Sequence, residues 1–301
     1  MPYANTGAAT LYYELEGEGD PLVLIMGIGS QMVAWSKEWR QALIGAGFQL
    51  ILFDNRDVGF SSRFDHLGTP DPRQVIFKGL AGFPIQAPYL LDDLARDTAG
   101  LLDHLELESA HILGISFGGA VAQTFAIEFS DRTRSLTSIM STTGQRRHAV
   151  GSPKAIASLL RPPPRTREEA GESIVEFMRV VGSPDFAHDE AGLRERGMLA
   201  FDRGTSPAGF CRHLAAMVAS GSRLDALLRL RVPSLVIHGQ ADPLLPHRGG
   251  AATAAAIPGA EFLSIPGMGH DLPNALHGRM VERIRALADR SESARRRRES
   301  A

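Results

Sequence analysis

The segment HILGISFGGAVAQ holds Gly114, Ser116 and Gly118 in a G-x-S-x-G spacing, between an apolar run and a stretch rich in small residues. On a sharp strand-to-helix turn such a serine holds its hydroxyl out at the top of a sheet, over the positive end of the next helix. Glycines two positions to either side let that turn close. A serine hydroxyl is a weak nucleophile near neutral pH, so a base must take its proton and a third group must orient the base. Of the ten histidines, His270 in SIPGMGHDLP follows a terminal apolar run through a glycine-rich loop, which leaves its ring free to reach the sheet edge. His238 lies within an apolar run and reads as a core or strand-end residue. Asp242, in PSLVIHGQADPLLP, ends a neighbouring run and is the candidate acid, with a turn role before proline as its alternative. Ser116, Asp242 and His270 stand in the order nucleophile, acid, base. Their chemistry would be acyl transfer: Ser116 attacks a carbonyl, His270 moves the proton and Asp242 holds the imidazolium.

These groups need elements to position them. Short apolar runs bounded by Gly, Pro or Asp predict strands over 11–15, 22–28, 49–53, 111–115, 136–140, 234–238 and 261–265. Continuous runs such as LVLIM, LILF and SLVIH suit strands covered on both faces, as in a parallel sheet. Between them, 90–105 places Leu91, Leu94, Thr98, Leu101, Leu102 and Leu105 on one helical stripe, and 117–129 reads as a buried helix of small residues. Strand alternating with helix predicts the α/β class, with a mostly parallel, doubly wound sheet. One segment, 144–230, breaks the alternation: it has a proline-rich joint at 161–165 and helical patterns near 167–181, 189–202 and 207–219. It predicts a helical cap, or lid, inserted above the carboxyl ends of the strands, where ligands bind in open α/β sheets. The expected organisation is a core domain from 1–143 and 231–290, a cap over 144–230 and a disordered basic tail over 291–301.

From Leu11 to about Asp289 the chain resembles the α/β-hydrolase-fold serine hydrolases. The residues that carry the likeness are LVLIMGIGS, DNRDVGFSS, GISFGG, VPSLVIHGQADPLLP and IPGMGHDLP. Met26-Gly27, where many members have His-Gly, together with DNRDVG and GMGH, is similar to the aclacinomycin methylesterase-like esterases. The resemblance implies that the backbone N–H groups of Ile28 and Phe117 form an oxyanion hole. Because backbone supplies these donors, Met26 keeps the hole and gives up only a side-chain hydrogen bond. It also implies a hydrolase of small or medium carboxylic esters that needs no cofactor and no metal. Lactonase, perhydrolase and carbon–carbon bond hydrolase chemistry use the same triad, and a non-catalytic small-molecule receptor uses the same fold. Serine at the elbow, where aspartate stands in dehalogenases and the usual epoxide hydrolases, disfavours those reactions.

Several side chains read as structural. Asp54 and Asp57 flank Arg56 and suggest an ion pair and a turn, while Asp92, Asp93 and Asp97 suggest a solvated helix face, with Asp92 or Asp93 tying down the loop before it. Phe177, Met178, Met198, Phe201, Phe210 and Met217 suggest cap core with some members facing substrate. Phe60, Phe64, Phe77 and Phe83, in a loop over 56–88, can close another side of the site.

At 301 residues, 44% apolar, 22% charged and net charge -2, the chain is long enough for one large domain or two small ones with an ordinary core. No apolar run approaches the roughly 18 residues of a membrane span. The near-neutral charge gives no field to gather nucleic acid, and the only charge run is RRRR at 295–298. The single cysteine, Cys211, excludes an intrachain disulfide and a cysteine metal cluster. The opening MPYANTGAATLYYELEG has no basic stretch followed by an apolar one, so the expectation is a cytoplasmic protein with a small-molecule ester as its partner, as monomer or homodimer.

Overall fold

In β3 (Asp20–Ile25), Leu22 and Leu24 face one side of the sheet while Val23 and Ile25 face the other, and all four are buried. Strands covered on both faces have no polar side, which is why the run reads without alternation. The computed structural model describes residues 2–148 and 150–299. The other strands are β1 (Tyr3–Asn5), β2 (Thr10–Glu16), β4 (Phe48–Phe53), β5 (Ala110–Ile115), β6 (Thr133–Ile139), β7 (Ser234–Gly239) and β8 (Glu261–Ile265). They form one sheet in the order β1-β2-β4-β3-β5-β6-β7-β8. Pairing is antiparallel at β1–β2 and β2–β4 and parallel from β4 to β8.

Helices α1 (Lys37–Gly45) and α11 (His277–Glu299) cover the Leu22 face, with Trp39, Leu43, Met280, Ile284 and Leu287 against Leu50, Leu52 and Leu113. On the Val23 face lie α3 (Leu91–His104) and α4 (Phe117–Glu128), which bring Leu94, Leu101, Val121 and Phe125 to Ile51 and Ile112. A short helix, α2 (Pro72–Ala81), occupies the expected 56–88 loop, capped by Asp71 with Pro72 in its first turn. Between β6 and β7 the chain inserts α5 (Pro153–Leu159), α6 (Arg167–Val181), α7 (Glu190–Asp202), α8 (Pro207–Ala219) and the single turn α9 (Leu224–Leu227). Helix α10 (His247–Ala256) joins β7 to β8.

Helix α11 continues through 291–299, where a disordered tail is expected. Ser291 lies one helical turn beyond the buried Leu287 and Ala288 and donates to the Arg134 carbonyl, and Glu292 pairs with Arg134 at 3.1 Å. The helix is thereby docked on the amino end of β6. Strand order turns in opposite directions after β3 and β5, which pair in register from Leu22 and His111 to Ile25 and Gly114. Their carboxyl ends therefore open side by side, the place where α/β sheets bind ligands.

Candidate active site

Ser116 stands between β5 and α4 with φ 53° and ψ -119°, outside the backbone regions that a side chain prefers. Its N–H donates to the Ile139 carbonyl at 2.9 Å, and its carbonyl accepts the Ala120 N–H at 3.2 Å. A Cβ on Gly114 would sit 2.0 Å from the Gly118 carbonyl oxygen, and one on Gly118 would sit 2.1 Å from that of Ile25. Neither position has room for a side chain, which is the physical content of the G-x-S-x-G spacing.

Asp242 follows β7 and His270 follows β8, two strands paired as far as Gly239 and Ile265. His270 Nδ1 lies 2.7 Å from Asp242 Oδ2, and its Nε2 lies 3.0 Å from Ser116 Oγ. Nδ1–H donates to the carboxylate, so Nε2 is left bare to accept the serine hydroxyl. The other carboxylate oxygen of Asp242 takes the N–H groups of Leu244 and Leu245, both at 2.9 Å. Burial pushes the Asp242 carboxyl up, but the facing His270 and the neighbouring His238 outweigh it and hold the group well below the usual carboxylate range. The loop bearing His270 is tied to the end of α6: His270 N–H donates to the Val181 carbonyl at 2.7 Å, and Gly269 N–H to Ser183 Oγ at 2.8 Å.

His238 is fully buried in β7, as its apolar setting suggests. It also has a place beside the acid that the sequence does not reveal, with Nε2 donating to the Leu245 carbonyl at 2.8 Å and lying 3.3 Å from Asp242 Oδ2. The four-residue separation is the available signal, and it tells only if the intervening turn folds back. Ile28 lies in the loop after β3, where a Cβ on Gly27 would come within 3.8 Å of the Ser116 Cβ. Phe117 follows Ser116 directly, and the Gly27 backbone that precedes Ile28 runs beside the Ser116 side chain.

The DNRDVG loop pairs differently from its sequence suggestion. Arg56 leaves both neighbouring aspartates and binds Asp97 through two contacts of 2.6 and 2.8 Å. Asp97 is therefore buried in α3 and not on a solvated face, because its carboxylate is the counter-charge of a buried guanidinium. Asp93 does tie down the preceding loop, accepting the Leu90 N–H at 2.8 Å. Asp57, at φ 71°, accepts Tyr89 Oη–H, the Phe64 N–H and both arms of Arg212 from α8. Asp54 binds Arg203 at the end of α7. No local signal announces these partners, since Arg212 lies 155 residues from Asp57.

Helix α2 turns Val75 and Ile76 toward Phe210, Leu214 and Met217 of α8 and toward Ile28. Its opposite face leaves Phe77 67% and Phe83 beyond it 60% exposed, so these two do not close the site. Phe64 packs under Arg56 and Phe60 under Arg203, and Phe177 and Met178 sit with Val181 and Leu244.

A mostly parallel, eight-stranded sheet with a serine, histidine and aspartate linked on loops at its carboxyl edge is the arrangement of the α/β-hydrolases. Residues 20–175 match the family model described as alpha/beta hydrolase fold, and the chain belongs to that family. It is 29% identical over 288 residues to rhodomycin D methylesterase of Streptomyces peucetius, covering 87% of this chain and 90% of the relative. A second rhodomycin D methylesterase, from another Streptomyces, is 30% identical over 286 residues with the same shares covered. Among solved structures, a thermophilic esterase of Thermogutta terrifontis with malate bound superposes with a TM-score of 0.69 at 25% identity, over 96% of this chain and 98% of that one.

Proposed function

We propose that this carboxylic ester hydrolase works through an acyl-serine intermediate on Ser116. The observation that carries the reading is the unbroken hydrogen-bonded chain from Ser116 Oγ through His270 to Asp242. As Oγ attacks the acyl carbon its proton passes to His270 Nε2, and Asp242 holds the imidazolium through Nδ1–H. The carbonyl oxygen becomes an oxyanion and takes hydrogen bonds from the Ile28 and Phe117 N–H groups. Collapse breaks the ester C–O bond, and the leaving alcohol takes the proton from His270. Water then attacks the acyl carbon, gives its proton to His270, and releases the acid as Ser116 recovers its hydrogen.

Residues 144–230 serve as the cap in this reading, and Ile28 of the expected oxyanion loop packs with Val75 and Ile76 of α2 and with Phe210, Leu214 and Met217 of α8. Apolar surroundings of that loop suit the hydrophobic part of a compact ester. The two methylesterase relatives make methyl esters of bulky acids a first substrate class to try. A cytoplasmic location belongs to the same proposal, supported by a chain whose one cysteine needs no oxidising compartment. The test is turnover of p-nitrophenyl acetate together with fluorophosphonate labelling and peptide mapping. Many turnovers per chain with label on Ser116 are expected. A few turnovers at most would make this a receptor, and label on another serine would displace Ser116.

A further inference from the structure

The loop after β3 needs a brace. Gly29 holds φ 62°, and a Cβ there would meet the Phe210 ring at 2.9 Å, so the loop is pressed against α8. At Met26, where a histidine could have braced it by a hydrogen bond, there is only a thioether. The brace comes instead from His213 of α8, whose side chain is fully buried. Its Nδ1 accepts the Gly29 N–H at 3.2 Å, and its Nε2–H donates to the Arg56 carbonyl at 2.8 Å. The ring lies flat on Phe117, with centroids 4.7 Å apart and planes 11° from parallel. One neutral tautomer satisfies both backbone partners. Burial pushes the imidazole down to about 4, so that tautomer persists at neutral pH. None of these contacts belongs to the chain from Ser116 to Asp242.

We propose that His213 is a positioning residue for the oxyanion hole, fixing the Gly29 backbone on one side and the Phe117 ring on the other so that the Ile28 and Phe117 N–H groups converge above Ser116. The inference rests on the acyl-serine reading and adds to it what aims the donors. Donors to an oxyanion act only if preorganised, and losing one lowers kcat by roughly 10² to 10³. A misplacement near 1 Å costs about 10². His213 touches neither substrate nor Ser116 in this role. Its loss therefore acts on the transition state and leaves ground-state binding nearly unchanged.

The experiment compares wild type, His213→Leu, His213→Gln and Phe117→Leu. Each is measured for kcat and KM on p-nitrophenyl acetate and for affinity to a trifluoromethyl ketone. That ketone adds Ser116 Oγ at its carbonyl carbon, passes the hydroxyl proton to His270, and leaves an oxyanion in the hole. His213→Leu is expected to lower kcat about a hundredfold with KM within about threefold, and to weaken the ketone by the same factor as kcat/KM. His213→Gln presents a carbonyl to Gly29 and an N–H to Arg56, and is expected to regain about tenfold of both losses. Phe117→Leu keeps its N–H, loses the stacked ring, and is expected to weaken turnover and ketone binding in parallel. A folded His213→Leu with kcat within about threefold of wild type overturns the proposal, and so does a loss in KM with ketone affinity intact. Should His213→Leu not fold, the other two variants decide: parallel losses at Phe117→Leu exceeding those of His213→Gln support the brace, and no loss at Phe117→Leu overturns it. Fluorophosphonate labelling separates the two readings. Wild type unlabelled at Ser116 sinks the acyl-serine mechanism, whereas labelled Ser116 with unaffected His213 variants sinks the positioning role alone.

Discussion

Ser116 holds a left-handed backbone that costs a side chain roughly 1 to 2 kcal/mol, and β5, α4 and the two crowded glycines impose it. Ser116→Ala keeps every one of those constraints. It should fold with an unchanged melting temperature and lose both turnover and fluorophosphonate label; residual turnover above about a thousandth of wild type would point to a second nucleophile. Asp242→Asn should lower kcat by roughly 10³ to 10⁴, since an amide in place of the carboxylate favours the wrong imidazole tautomer. Asp57→Asn should leave kcat within about tenfold, as the Asp57 carboxylate faces Arg212 and Tyr89 and not His270. Equal losses at the two aspartates would undo the assignment of the acid. The three linked residues are legible in the sequence because each closely follows an apolar run, so a strand end places it at one edge of the sheet. His238 is legible only as buried, because its closeness to Asp242 depends on how the turn after β7 folds back.

At the scale of elements, α8 is the helix whose seating the rest depends on. Arg212 and Asp57 are both fully buried; the guanidinium also meets the largely exposed Asp65 at 2.8 Å, whereas Asp57 without Arg212 would face no cation and keep only the Tyr89 Oη–H and Phe64 N–H donors. Arg212→Met should destabilise the fold by about 3 to 5 kcal/mol, read as a lower urea midpoint with an unchanged slope; a shift below about 1 kcal/mol would mean that Tyr89 and the Phe64 N–H suffice for Asp57. Most strands and long helices announce themselves through apolar period and punctuation, and their observed ends lie within a few residues of expectation. Others do not: α1, α5, α9, α10 and the long α11 are not among those readings, nor are β1 and α2. The strand β1 has three residues with one buried, too few to set a period, and α2 buries only Val75 fully, so its Asp71-Pro72 start outweighs its weak stripe. The pairing of Asp57 with Arg212 and of Arg56 with Asp97 is invisible to local reading because both pairs are made by tertiary approach.

For the whole molecule, two buried histidines set a pH dependence. Burial pushes His111 and His213 each down to about 4, below the ordinary 6.5 of an unfolded chain. The unfolded state then binds the extra protons first, so stability is complete above pH 6.5 and falls as pH drops toward 4, by about 3 kcal/mol per residue at most. Urea titrations at pH 7, 5.5 and 4.5 should show that decline, with His111→Asn losing less over the same window; a level profile would sink the account. A site roofed by 144–230, as proposed, would be finite, so p-nitrophenyl acetate to hexanoate should be cleaved with higher kcat/KM than laurate or palmitate, with no jump above the solubility limit. An optimum at palmitate would overturn the cap proposal. The end of α6 holds the His270 loop, while α8 holds the loop of Gly29. The insertion between β6 and β7 is therefore not an exchangeable part. Grafting a relative's segment in its place would remove the anchors of the His270 loop and of Gly29 together, so new substrate ranges in this lineage should arise by point changes on its inward face and not by swapping the whole segment.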